Sequence, residues 1–102
     1  MSRLERLQQL AQTCPDDALA QYGLALEHLN QQNWDDASAA FDRALAVDAK
    51  YSAAYYHKAR AQIAAGRSDE ARATLNTGIE VSGAAGDWKT QNEMRELLET
   101  FD

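Results

Sequence analysis

An all-α chain of stacked helical hairpins is the predicted fold class, and three observations carry that prediction. The first is an internal repeat: residues 18–51 and 52–85 align at a spacing of 34 residues. Identities fall at Ala20/Ala54, Tyr22/Tyr56, Ala25/Ala59, Asp35/Asp69, Ala37/Ala71, Ala39/Ala73 and Val47/Val81. Leu29/Ile63, Asp36/Glu70, Phe41/Leu75 and Leu45/Ile79 stay in class. A fixed period of this size marks a stack of supersecondary units. The second observation is helical spacing inside each unit. Ala25, His28 and Leu29 share one stripe, and Ala37, Phe41, Ala44 and Leu45 share another. The third is length, since two helices of about fourteen residues and two short turns fill the repeat.

These residues resemble the tetratricopeptide repeat, whose unit has this length and two-helix form. The resemblance rests on Leu24, Ala25, Ala37, Phe41 and Ala44 in the first unit. In the second it rests on Tyr55, Ala59, Gly66, Ala71, Leu75 and Gly78. Small residues at Ala25/Ala59 and Ala37/Ala71 let paired helices approach at the short end of the usual ~8–10 Å. The resemblance implies a helical-repeat solenoid like the small stand-alone bacterial members of that family. This chain departs from the pattern in places. His28 and Gln62 stand where an aromatic is usual, Lys58 replaces a core Leu, and Ala49 and Gly83 replace the closing Pro.

Six helices follow in order, within a single domain spanning 1–102. Residues 2–14 hold a short amphipathic helix, with Leu4, Leu7, Leu10 and Ala11 on one face, equivalent to the second half of an incomplete repeat. Pro15 disfavours helix at Cys14, and Asp16 and Asp17 suit the positive end of the next helix. Repeat one (18–51) places helices at 17–31 and 35–48, with Asn33 as N-cap, Asp36 as its partner, and Trp34 covering the turn. Repeat two (52–85) places helices at 52–65 and 68–81. Gly78 inside the second costs about 1 kcal/mol relative to Ala, and close helix contact is the expected return. Ser82-Gly83-Ala84-Ala85-Gly86 reads as a linker that ends that helix. Residues 87–101 form a capping helix with Met94, Leu97, Leu98 and Phe101 on one side.

Composition narrows the function. The net charge is −6, so the basic patch that nucleic acid needs is not evident. A lone Cys14 precludes an internal disulfide, and no apolar run reaches signal-peptide or membrane-span length. The expectation is a soluble cytoplasmic protein. Neither histidine has a second ligand at i+3 or i+4, and no nucleophile–base spacing or phosphate loop is present, so no metal, cofactor or catalysis is expected.

What remains is surface. By the family resemblance, the first helices of successive repeats line a concave face that holds a partner peptide. Carried over residue by residue, the partner-binding set is Tyr22, Leu26, Leu29, Tyr56, His57, Arg60, Ile63 and Met94. Leu19, Ala53, Thr90 and Gln91 lie alongside. Tyr22 and Tyr56 fit helix packing as readily as binding, and a Met on a capping helix is more often core than contact. The chaperone-tail clamp of the family is not implied, because the Lys and Asn donors are missing and Asp87 would repel a carboxylate. The function expected is a protein-interaction module or scaffold. Its alternative is homodimeric self-association through Leu4 and Leu7 or Leu98 and Phe101. Lys58 is expected to pack its stem and find a carboxylate, or else to join His57 and Arg60 in presenting charge to an acidic partner.

Overall fold

Pro15 and Asp17 decide the first junction, in a computed structural model that describes residues 1–101. Helix α1 (Arg3–Thr13) opens on a capping box: Glu5 N–H donates to Ser2 Oγ, and Ser2 N–H to Glu5 Oε1. It stops before Pro15, and Asp17 then caps α2 (Ala18–Asn30) by accepting from the Leu19 and Ala20 N–H groups. Next come α3 (Trp34–Val47), α4 (Ser52–Ala64), α5 (Ser68–Ala85) and α6 (Trp88–Glu99). The six helices and their boundaries follow the repeat closely as far as the start of α5. None of the helices among the described residues is long and apolar enough to cross a membrane.

Each hairpin closes on its alanines. Ala25, Ala37, Ala59 and Ala71 are all fully buried, and Phe41 and Leu75 fill the space beside them. The hairpin turns are alike: Asn33 N–H donates to His28 O, and Arg67 N–H to Gln62 O, both at 2.8 Å. Each turn needs one left-handed residue, and these are Gln32 (φ 64°) and Gly66 (φ 80°). Asn33 is the N-cap of α3 by position, but its side chain caps nothing. It turns back to His28 instead, with Nδ2 3.3 Å from the imidazole Nδ1. The two polar residues at usual aromatic positions are therefore buried with partners, since Gln62 Oε1 accepts from Thr74 Oγ1 at 2.7 Å.

Successive hairpins are latched by one recurring bond. Gln21 Nε2 donates to the Ala11 and Pro15 carbonyls, and the Tyr55 hydroxyl donates to the Ala49 carbonyl, one repeat on. Arg43 Nε closes the first latch by donating to Gln21 Oε1. Lys58 finds its carboxylate across this seam, with Nζ 2.6 Å from Asp42 Oδ1 and its stem largely covered. The packing account of Lys58 is the one the structure supports.

The linker expected at 82–86 is instead mostly helix. Helix α5 runs on through Ser82, Gly83, Ala84 and Ala85, and only Gly86 (φ 75°) ends it, with Asp87 N–H donating to Ser82 O. Alanines continue a helix at no propensity cost, whereas Gly86 alone takes up the left-handed turn. Ser82 is fully buried and donates to Gly78 O within the helix. Helix α6 then packs on α5 and α4 as α4 packs on α3 and α2.

The extension changes the register. Trp88 opens α6 36 residues after Ser52 opens α4, not 34. Met94 thereby falls at the place of Lys58 and Leu24, and Leu98 at that of Gln62. Met94 is fully buried, with Leu97, Leu98 and Phe101 packed beside it. Under the same shift Arg95 stands at the place of Ala25 and Ala59, and it is exposed.

Two expected outcomes follow from this packing. A Cβ on Gly78 would lie 2.5 Å from Met94 Sδ and 2.7 Å from Tyr55 Cβ. Gly78→Ala should therefore lower stability in urea unfolding by roughly 1–3 kcal/mol, against the helix-propensity gain. A net gain would mean that α5 and its neighbours part freely. Lys58→Met keeps volume and removes a half-exposed ion pair that contributes about 0–1 kcal/mol. Its urea midpoint should hold or rise, and a large fall would show that the Asp42 pair is essential.

Candidate functional site

The α2–α4 side of the molecule presents residues at the border of the hairpin cores, with Leu26 and Leu29 packed on the first core cluster and Arg60 exposed. Position by position, Leu26 follows buried Ala25 and Arg60 follows buried Ala59, so both point beside the core stripe. Between these helices and the α2–α3 turn lies an open cavity of about 460 Å³. Leu26, Leu29, His57 and Arg60 line it together with Asn30, Gln32, Trp34 and Ala64. Four of the eight residues expected at a partner site thus meet at one place.

The other four are distributed around or away from it. Tyr22 and Tyr56 are both half-buried and join the cavity wall through His57, their ring centroids 6.0 and 5.1 Å from the imidazole. Tyr22 also stacks on Tyr51 at 4.7 Å and meets Phe41 edge-on at 5.9 Å. Ile63 is partly buried against the second core cluster. Met94 lies in the core and faces no groove, because the longer α5 shifts it two residues out of the repeat spacing. For the same reason Thr90 takes the place of Ala54, and Gln91 that of Tyr55, donating to the Ile79 carbonyl at 3.1 Å. Asp87 is the N-cap of α6, accepting from Thr90 N–H. Leu19 is 67% exposed on α2, and Ala53 is half-buried.

Trp34 is the residue that sequence reasoning assigned elsewhere. It is half-buried at the start of α3, beside the hairpin turn, and it lines the cavity. The available signal was asymmetry between the repeats, since Ser68 stands at the equivalent position and needs no such bulk.

The charges of the site centre on His57 and Arg60. The Arg60 guanidinium donates to His57 Nδ1 at 3.2 Å, which assigns the imidazole proton to Nε2. Burial first, and the Arg60 charge second, hold the His57 pKa below its ordinary 6.5. Burial and Tyr51 raise the Tyr22 pKa above 10.0, so its hydroxyl stays neutral. Arg60 is exposed and, among the described residues, has no carboxylate partner, unlike Arg3 with Glu27, Lys58 with Asp42 and Arg67 with Asp35.

A larger cavity of about 540 Å³ lies between α1, α2 and α3. Several of its polar groups are already engaged with protein partners, Arg43 with Gln21 and His28 with Asn33. The residues named for self-association are also engaged: Leu4 and Leu7 pack on the first core cluster, Leu98 and Phe101 on the second.

Stacked two-helix hairpins with a groove along the first helices define a repeat scaffold. The chain belongs to the tetratricopeptide-repeat family, whose profile matches residues 28–89. A TPR repeat-containing protein of Pseudomonas aeruginosa is 28% identical over 97% of this chain and 94% of its own. The solution structure of a tetratricopeptide repeat domain protein from Salinibacter ruber superposes with a TM-score of 0.75 at 33% identity, covering 82% of this chain and 85% of that one. A Bordetella parapertussis protein shares the fold at a TM-score of 0.84 and 22% identity, over 97% and 86% of the two chains. Proteins of this family are typically non-catalytic and generally act as protein–protein interaction modules.

The lowered pKa of His57 has a measurable consequence. Between the folded value and 6.5 the unfolded chain binds more protons than the native one, so this group makes stability rise with pH. Its contribution is complete above 6.5 and declines as pH falls towards the lowered folded value. Melting of the wild type and His57→Gln should be compared from about pH 7 to about pH 5. The wild type should lose more stability across this window, and equal losses would mean that neutral His57 contributes nothing.

Proposed function

We propose that the chain is a small interaction module that holds a segment of a protein partner in the cavity between α2 and α4. The observation that carries this reading is the assembly of Leu26, Leu29, Trp34, His57 and Arg60 around one open space. Aromatic residues and Arg are enriched at binding hot spots, and here they sit on rigid helices. Trp34, Leu26 and Leu29 supply apolar wall, and Arg60 and His57 supply polarity at its edge. Tyr22 and Tyr56 support His57 through ring contacts and extend the surface. Cys14 is a free thiol, in keeping with a reducing cytoplasm.

A photoreactive benzophenone side chain tests the reading with the partner still unidentified. Placed at Ala64, which lines the cavity and is exposed, it should crosslink to another protein in cells. Placed at exposed Ala39 on α3, outside the cavity, it should not. Crosslinks from Ala39 alone would overturn the reading. Crosslinks from Ala64 to a second copy of this chain would favour self-association instead.

A further inference from the structure

We infer that the partner segment carries a side-chain carboxylate beside an apolar residue, the apolar group entering between Leu26, Leu29 and Trp34 and the carboxylate meeting Arg60. The inference rests on the groove reading above and specifies the chemistry of its occupant.

Charge complementarity carries it. The chain has 16 acidic and 10 basic residues, and Arg60 is the one Lys or Arg among the residues that line this cavity. Arg60 is exposed at the cavity wall and has no carboxylate partner among the described residues. Its one bond within the protein is to a neutral acceptor, His57 Nδ1 at 3.2 Å. That contact orients the guanidinium without neutralising it, which leaves the fork free for a planar carboxylate. The imidazole is braced in turn by the rings of Tyr22, Phe41 and Tyr56.

The register of α6 limits how much acid the segment carries. With α6 set 36 residues after α4, Glu93 and Glu96 take the places of His57 and Arg60. The stripe therefore runs from apolar on α2, through positive on α4, to negative on α6. A run of acids along the groove would meet those glutamates, whereas one acid next to an apolar residue meets Arg60 alone. A lysine at the same place would face Arg60 across the cavity mouth and be repelled.

Fluorescence of Trp34 reports on this directly. Trp88, the other of the two tryptophans, is 63% exposed, so Trp88→Phe leaves the fold intact and makes Trp34 the single reporter. The probes are short peptides, capped at both ends, with one Leu or Phe next to Asp, Asn or Lys. Asp peptides should bind about tenfold more tightly than Asn peptides, and Lys peptides more weakly than either. The Asp preference should shrink with added salt and vanish in Arg60→Gln, while apolar-dependent binding persists. Circular dichroism of Arg60→Gln should match the parent, because Arg60 is exposed. Equal binding of Asp and Asn peptides would overturn this inference and leave the groove reading standing. Binding only to uncapped peptides with a free C-terminal carboxylate would also overturn it. No response of Trp34 to any peptide, with no crosslink from Ala64, would overturn both.

Discussion

Close approach of helices at alanine is the constraint on which the rest of the structure depends. With Ala25 against α3 and Ala59 against α5, no side chain beyond Cβ holds the helices apart, and each hairpin shuts over one large residue, Phe41 or Leu75. Once the hairpins are shut, their polar outliers have fixed neighbours. His28 meets Asn33, Gln62 meets Thr74, and Lys58 reaches Asp42 on the preceding hairpin. Buried polar groups of this kind would be costly without partners, so their tolerance at usual apolar positions depends on the alanine contacts being in place.

The same constraint explains what was legible in the sequence. Alanines recurring at a fixed distance reveal both the hairpin and its period, so α2 to α4 and the start of α5 could be placed residue by residue. Leu26, Leu29, His57 and Arg60, which meet at the cavity, were reached through the family resemblance carried over position by position. The α5–α6 junction was not legible from the period, since no third copy exists downstream to calibrate it. The five small residues from Ser82 to Gly86 read together as a break, and only backbone geometry distinguishes helical Gly83 from left-handed Gly86. Met94, Leu97, Leu98 and Phe101 did hold the answer. They match Lys58, Ala61, Gln62 and Ala65 at a spacing of 36, which makes them a core stripe.

Both outer helices break the alanine rule in the same way. Arg3 stands on α1 where α3 and α5 carry Ala37 and Ala71, and it reaches across to Glu27 at 2.9 Å. Arg95 stands on α6 where α2 and α4 carry Ala25 and Ala59. An arginine at the place of closest approach keeps these two faces hydrated, where an apolar face on a solenoid end would invite association. The exposed apolar residues left on the outside, Leu10, Leu19 and Trp88 among them, are borne by separate helices or turns of helix.

A repeat of this kind buries one stripe of each helix completely and the adjacent stripe only in part. The constrained stripe reads Leu24, Lys58, Met94 and Ala25, Ala59, Arg95, and its two departures at Lys58 and Arg95 each need a carboxylate or solvent to be tolerated. One residue further along each helix the burial is lower, Leu26 leaning on the first core cluster while Arg60 and Glu96 are exposed. That position holds Leu26, Arg60 and Glu96 on α2, α4 and α6, which are apolar, positive and negative in turn. Three different chemistries stand at this one position of the repeat. A scaffold so divided can vary its surface through one position per repeat while its stability rests chiefly on the alanines next door.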